Sequence, residues 1–352
     1  MSKFNILILS GSPNSYSITR IKEEAEKQGH DVDVINPLNF FAYISPVKNG
    51  FDRLYLKSDN DEIRKVIRKK IDVVIPRFAG QSIFDYGCTI VAHINKNLGI
   101  PTTSEADGLR LASNKLATCQ QLSFMKIRTI KTIFANQPTD FSYIINLLDG
   151  LPIICKTLTG SMGSGVFVLE TELSASTTLS AFSKLNVNLI LQKFIDSGTP
   201  KNDLRVYVID GKISGAYKRY AIDSDFRSNY SLSHIGEKVT LTDEEIQMAK
   251  DSSLAIGLPV CACDIIRHTK DNDKPYMIEI NGNGNLRGAE KVTGKNIAKD
   301  IVDYAVRLAI RKKHEPVPDD NANGSAGVIQ TVPEKITWGN SEIESATKAG
   351  LL

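Results

Sequence analysis

Two groups of residues in this 352-residue sequence have the types and spacing to do chemistry. The first is Gly160-Ser161-Met162-Gly163-Ser164-Gly165, set between two strand-like runs with Lys156 on the upstream one. Glycines let backbone amides converge on anionic oxygens with no side chain in the way. Gly163, Ser164 and Gly165 are therefore candidates to hold a phosphate. It is not a Walker loop, which needs a lysine right after its second glycine and then a helix; here Val166 follows the last glycine. Taken alone, the pattern also fits a glycine-rich hairpin that binds nothing.

The second group is Asp264, Glu279 and Asn281. Residues 260–267 and 276–281 read as two strands joined by the turn-like His268-Thr269-Lys270-Asp271-Asn272-Asp273-Lys274-Pro275. Glu279 and Asn281 are two apart on a strand and share a face. A hairpin symmetric about the Asp271–Asn272 link sets Asp264 opposite Glu279. Two carboxylates and an amide oxygen are ligands that magnesium accepts, with phosphate and water completing the shell. The alternative is a solvent-facing strand with ordinary polar residues. Apolar neighbours on both strands count against it, because an unpaired acid among them is costly.

Hydrophobic period places these groups on elements. The chain opens as strand (residues 4–9), Gly-Ser-Pro-Asn turn, helix (18–28) stopped by Gly29, and strand (32–35). Residues 61–70 read as a helix leading into the buried strand 71–76, and 86–98 as a helix closed by Gly99. Beyond residue 101, Ser113 is expected to cap a helix through Leu116, Cys119 and Leu122. Strands are expected at 130–134, 152–157, 165–169, 189–192, 205–209 and 212–217, a capping box at Thr242 and Glu245 opens a helix that Gly257 ends, and 297–311 is helical. The fold class is α/β, in part α+β: an open α/β domain over 1–100, then antiparallel sheets with helices over 101–313, and a polar tail over 314–352.

Composition bounds the rest. With 41% hydrophobic residues the chain is globular and long enough for two or three packed units. No apolar run reaches membrane-span length, so no membrane partner and a cytoplasmic location are expected. Cys88, Cys119, Cys155, Cys261 and Cys263 have no metal spacing and read as reduced, buried thiols. The net charge of +3 is too mild for a nucleic-acid partner. From Glu315 onward six acids face two lysines, giving the tail −4.

Dispersed motifs in order then give the sequence a family resemblance. Asn114-Lys115-Leu116, Lys156 with its glycine loop, Leu191-Gln192-Lys193-Phe194-Ile195, Asp203-Leu204-Arg205, Asp225-Phe226-Arg227-Ser228-Asn229, Asp264, Glu279-Ile280-Asn281 and Gly288-Ala289-Glu290-Lys291-Val292-Thr293-Gly294 resemble the ATP-grasp ligases of the RimK type across most of residues 1–310. The resemblance implies a two-lobed ATP-grasp domain, with a small lobe at about 125–195 and a large lobe at about 196–313. It implies ATP with two Mg2+ or Mn2+ ions on Asp264, Glu279 and Asn281. Lys115 and Lys156 would contact phosphates, Gln192, Lys193 and Phe194 line the adenine pocket, and Asp203 meet the ribose. Arg227, Ser228 and Asn229 would complete the phosphate and reaction end. Arg219 joins Arg227 and Asn229 as a catalytic candidate, with ion pairing inside the sheet as its alternative, and the same alternative applies to Arg205. Lys115 has a solvated helix start as its alternative. The implied activity is ligation of an amino acid such as glutamate to a peptide or protein through an acyl phosphate, in a homo-oligomer. A maturase that cross-links or extends a ribosomal peptide, and a nucleotide-gated binding protein, are the alternatives.

Some segments depart from that pattern. Tyr230-Ser231-Leu232-Ser233-His234-Ile235-Gly236 replaces the family's His-Arg-Gly-Gly stretch, and Gly282-Asn283-Gly284-Asn285 replaces Ala-Ser-Pro-Gly. Lys193 stands where the family often has Glu. Gly11-Ser12-Pro13-Asn14-Ser15-Tyr16-Ser17 also resembles a flavodoxin-like phosphate loop, but RimK-type proteins carry a comparable turn beside their substrate cleft.

Overall fold

The computed structural model describes residues 2–44, 53–57, 63–65, 71–134, 141–158, 165–221 and 236–314. Strand β1 (Asn5–Leu9) pairs in parallel with β2 (Asp31–Ile35) and β6 (Val73–Pro76), giving the order β2-β1-β6. Helix α1 (Tyr16–Lys27) is the crossover, and Gly29 leaves it at φ +86°, a conformation that favours glycine. Alternation sends Ile6, Ile8, Val73 and Ile75 to one core and Leu7, Leu9 and Val74 to another. Helix α2 (Gln81–Ala92) starts five residues before the expected 86 and continues as a π-helical turn, His93–Asn97. Ile83 and Phe84 extend its buried face.

The helix expected at 61–70 is corrected where it is described. Ile63–Lys65 is β5, the outer strand of an antiparallel sheet with β3 (Phe40–Tyr43) and β4 (Arg53–Lys57). Pairing with β4, whose Leu54 is fully buried, outweighs the helical preference of a charged stretch. The capping assignment is also corrected. Ser113 ends α3 (Ala106–Ser113), and Asn114 caps α4 (Lys115–Phe124), its Oδ1 accepting from the Leu116 and Ala117 amides at 3.1 Å.

Four strands, β7 (Thr132–Phe134), β8 (Ile153–Thr157), β9 (Val166–Leu169) and β10 (Leu189–Lys193), form an antiparallel sheet in the order β7-β10-β8-β9. Ile153, Cys155, Leu189 and Leu191 pack under α5 (Phe141–Leu147) and α6 (Glu172–Lys184), making a separate core. The opposite face carries Ile154, Lys156, Ile190 and Gln192, on alternate positions of neighbouring strands.

Five strands make the larger sheet: β11 (Asn202–Ile209), β12 (Lys212–Tyr220), β13 (Gly236–Lys238), β14 (Val260–His268) and β15 (Lys274–Asn281), all antiparallel in the order β13-β12-β11-β14-β15. Leu204, Val206, Val208, Cys261, Cys263 and Ile265 face α7 (Asp243–Ile256) and the first sheet. Thr242 and Glu245 cap α7 reciprocally, and Gly257 at φ +72° closes it. On the other face Tyr207, Tyr217 and Ala262 are covered by α8 (Leu286–Thr293) and α9 (Ile297–His314). All five cysteines are free and buried. Among the described residues no helix is long and apolar enough to cross a membrane.

Candidate functional site

The larger sheet sets charged residues side by side across its strands. Register pairs Arg219 with Asp203, Arg205 with Asp264, and Asp264 with Glu279. Arg205 grips Asp264 with two parallel bonds, Nε to Oδ1 at 2.8 Å and Nη2 to Oδ2 at 2.7 Å. Arg219 grips Asp203 in the same way, its Nε 2.7 Å from Oδ1, and its Nη2 also lies 3.1 Å from Asp264 Oδ2. Asn281 Nδ2 reaches Asp264 Oδ2 at 3.4 Å. Arg219 is 1% exposed and Asp264 5%, so this is a buried network with its charges paired.

Asp264 does lie opposite Glu279, though not through a symmetric turn. From His268–Lys274 to Ile265–Met277 the register centres on Asp271, which would bring Ile278 to Asp264. A β-bulge between Asp264 and Ile265 advances β15 by one residue and delivers Glu279 instead. Since one residue of slip exchanges the faces of a strand, the bulge decides whether an acid or an isoleucine enters the site.

The electrostatics of the two acids are opposed. Burial pushes the Asp264 carboxyl up, but Arg205 and Arg219 outweigh it and hold the group below its usual value. Burial and the neighbouring Asp264 push Glu279 up, with Lys115, Lys156 and Arg205 pulling the other way. Burial likewise raises Asp203 against the pull of Arg219. Adjacent buried carboxylates that repel each other make a setting a divalent cation would relieve, and the donor set suits a hard ion. No group of three His, Cys, Asp or Glu side chains converges as a metal site among the described residues. Asp264, Glu279 and Asn281 supply two carboxylates and an amide, leaving other ligands to come from substrate.

Facing this row, the smaller sheet contributes Lys156, whose ammonium burial pushes below its ordinary value while Glu279 pulls it up. Lys115 belongs to the same electrostatic neighbourhood, influencing both Lys156 and Glu279. Its backbone amide donates to Leu158 O at 3.1 Å, tying the start of α4 to the end of β8. Gly165 holds φ +74°, and a Cβ there would stand 2.4 Å from Thr157 Oγ1, so a side chain would force the loop's base apart. Gln192, 2% exposed, donates to Thr132 Oγ1 at 2.8 Å, and its Oε1 has no partner. Lys193 pairs with Asp149 at 2.7 Å, and Lys201 lies 5.4 Å from the Phe194 ring centre.

The structure thus brings together Lys115, Lys156, Arg205, Asp264, Glu279 and Asn281, with Asp203 and Arg219 in the same network. Gly163, Ser164, Arg227, Ser228, Asn229 and His234 lie outside the described residues. Sequence reasoning missed Arg77, which leaves the carboxyl end of β6 and donates through Nη2 to Gly284 O at 2.6 Å. Burial lowers its pKa to about 10. Its position was open to the rule that open α/β sheets place function at the carboxyl ends of their strands.

Comparison with known proteins gives the family and the fold. Residues 4–109 match the RimK PreATP-grasp domain, and residues 112–305 match the RimK-like ATP-grasp domain. A probable alpha-L-glutamate ligase 1 of Shewanella sp. (strain MR-4) is 32% identical over 306 residues, covering 87% of this chain and 96% of the relative. The protein of the same name from Shewanella oneidensis is 32% identical over 311 residues, 88% of this chain and 98% of its own. Among solved structures, the ATP-grasp ligase PsnB complexed with minimal precursor superposes with TM-score 0.65 at 15% identity, covering 88% of this chain and all of that one. D-alanine–D-alanine ligase from Bacillus anthracis complexed with ATP superposes with TM-score 0.58 at 17% identity, covering 88% and 98%. The chain belongs to the RimK-like ATP-grasp family of carbon–nitrogen ligases.

Proposed function

We propose that the protein is an ADP-forming ligase that joins a carboxylate to an amine, adding an amino acid such as glutamate to a peptide or protein. The observation that carries this reading is the Arg219–Asp203, Arg205–Asp264 and Glu279 row set against Lys115 and Lys156. Phosphoryl transfer asks a protein mainly for positioning and charge neutralisation. A carboxylate oxygen attacks the γ-phosphorus of ATP and ADP leaves; the amine then attacks the acyl carbon and inorganic phosphate leaves. In this reading Lys115 and Lys156 orient the phosphates, and Arg227, Ser228 and Asn229 act at the reaction end with Gly163, Ser164 and Gly165 over the nucleotide. Asp264, Glu279 and Asn281 would hold magnesium or manganese, which neutralises phosphate charge when bound. Gln192, Lys193 and Phe194 take the adenine. Asp203 reaches the ribose only if it shares its carboxylate with Arg219. The separate core under the four-stranded sheet supports a small lobe at about 125–195 that moves against the remainder.

The glutamate ligase relatives support the donor, and the precursor peptides held by PsnB and by the macrocyclase MdnC support a peptide acceptor. Those two neighbours also favour a second reading, cross-linking within a ribosomal peptide. ADP release measured with pooled amino acids and peptides, followed by product mass, separates the two. Ligation adds an amino-acid residue, whereas cross-linking removes a water. Nucleotide binding without acceptor-dependent ADP release under any pool would overturn both.

A further inference from the structure

Helix α8 carries charges that no ion pair among the described residues explains. Arg287 and Lys291 stand four residues apart, on one side of the helix, where like charges repel. Arg287 also occupies the first turn, where the helix dipole disfavours a cation. Lys295 follows just beyond the helix end. None of the three has an acidic partner among the described residues, while Lys3, Lys96, Arg128 and Lys299 are each paired with an acid.

Together they line a cleft of about 510 Å³ between α1 and α8, walled by Tyr16, Arg20 and Asn296. The acid in that wall is already engaged: Glu290 accepts from the Tyr16 hydroxyl at 2.9 Å, from Arg20 Nε at 3.2 Å and from the Ala298 amide at 3.0 Å. Arg20 is likewise taken up by Glu23 and Glu24, at 2.9 and 3.0 Å. The Arg287 guanidinium stands 5.3 Å from the Tyr16 ring centre, a cation–π contact that presets it at the cleft. Among the described residues the cleft is therefore left with unmatched positive charge.

Its place relative to the reaction end is fixed by packing. Leu286 and Ala289 share a core with Tyr207, Tyr217 and Ala262, each two residues from Arg205, Arg219 and Asp264 on the same sheet face. The Leu286 amide donates to Ser17 Oγ at 3.0 Å, holding α8 to α1. The cleft thus borders the outer side of the helix that flanks the site.

We propose that this cleft docks an acidic stretch of the acceptor peptide or protein, an inference that rests on the ligase reading above. Cations four apart on a helix are spaced by roughly 6 Å, close to the roughly 6.6 Å between alternate residues of an extended strand. An extended peptide with acids at alternate positions meets Arg287 and Lys291 together, with Lys295 extending the row.

The test uses the full chain and two fluorescent peptides, one alternating Glu and Ala, the other Gln and Ala. The wild type is expected to bind the Glu peptide about tenfold more tightly by anisotropy, with a preference that shrinks as salt rises. The triple replacement Arg287→Gln, Lys291→Gln, Lys295→Gln should erase the preference, and Lys291→Gln alone should reduce it, with ATP affinity unchanged in both. Equal binding of the two peptides by the wild type, or a preference that survives the triple replacement, overturns the proposal. ADP release is scored separately. Its absence with the peptide preference intact defeats the ligase reading and leaves the docking surface standing.

Discussion

The two sheets that face each other across the site solve opposite problems. On the larger sheet the aspartates are met by protein partners: Arg205 and Arg219 grip Asp264 and Asp203, while Glu279 beside them is raised by burial and by Asp264, and Arg219 Nη1 is buried without a partner. The smaller sheet offers Lys156, whose charge burial disfavours, and Gln192, whose Oε1 is orphaned. Ion pairs made by the chain dominate the larger sheet, and groups that burial leaves uncompensated dominate the site face of the smaller one. In the proposed ligase, the paired charges of one lobe would position the reacting groups, and the uncompensated groups of the other would be completed by what binds.

The sharpest way to break that comparison is Glu279→Gln. ADP release should fall on the order of 10²–10³-fold, the scale of losing one electrostatic stabiliser, while the thermal midpoint holds or rises, because a repulsion with Asp264 is removed. Retained turnover would refute the metal assignment. Next comes a paired experiment on stability. Arg219→Met leaves Asp203 buried without its partner and should cost about 3–5 kcal/mol in urea unfolding. Lys156→Met, on the other sheet, should leave stability unchanged or raised, since it removes a charge that burial disfavours, and should instead weaken ATP binding. Equal stability losses in the two variants would mean that the lobes do not differ as described.

The contrast also explains what the sequence could reveal. Features closed within a few residues were legible: the Thr242 and Glu245 capping box and the Gly257 stop need only their own helix. The facing of Asp264 and Glu279 was legible only in outcome, because the expected turn centre was half a residue off and an unforeseen bulge made up the difference. The Arg205–Asp264 grip links positions 59 apart in strands that become neighbours only when the sheet assembles, so no local pattern announces it. Strand β5 was read as helix for the same reason, its partner β4 being the deciding contact. Helix α6 went unread because six of its thirteen residues are Ser or Thr, weak helix formers, and only Ala175 and Leu179 are buried.

A pH series resolves the two acids of the larger sheet. Asp264 is held below its ordinary 3.8, so its contribution to stability is present above that value and is lost as pH falls through the lower folded value. Glu279 is raised above its ordinary 4.5, so the stability linked to its protonation is full below 4.5 and disappears as pH rises through the higher folded value. The midpoint difference between Glu279→Gln and wild type should therefore grow as pH rises from 4.5, and added magnesium with ATP should shrink it by stabilising the wild-type carboxylate. A difference independent of pH would show that Glu279 does not feel Asp264.

The smallest expected effect belongs to the smaller sheet. Gln192 Nε2 donates to Thr132 Oγ1 and, weakly, to Cys119 Sγ at 3.7 Å, and Oε1 is already buried without a partner. Gln192→Met removes that unpaired acceptor along with both bonds, the one to sulfur being weak, and fills nearly the same volume, so the terms offset and stability should change by less than about 1 kcal/mol. ATP affinity should fall by more than that change predicts, because the orphaned oxygen is the group that a nucleotide donor would satisfy. Urea unfolding and nucleotide titration on the same preparation compare the two directly. A stability loss with unchanged affinity would make Gln192 a residue of the lobe's core rather than of the nucleotide pocket.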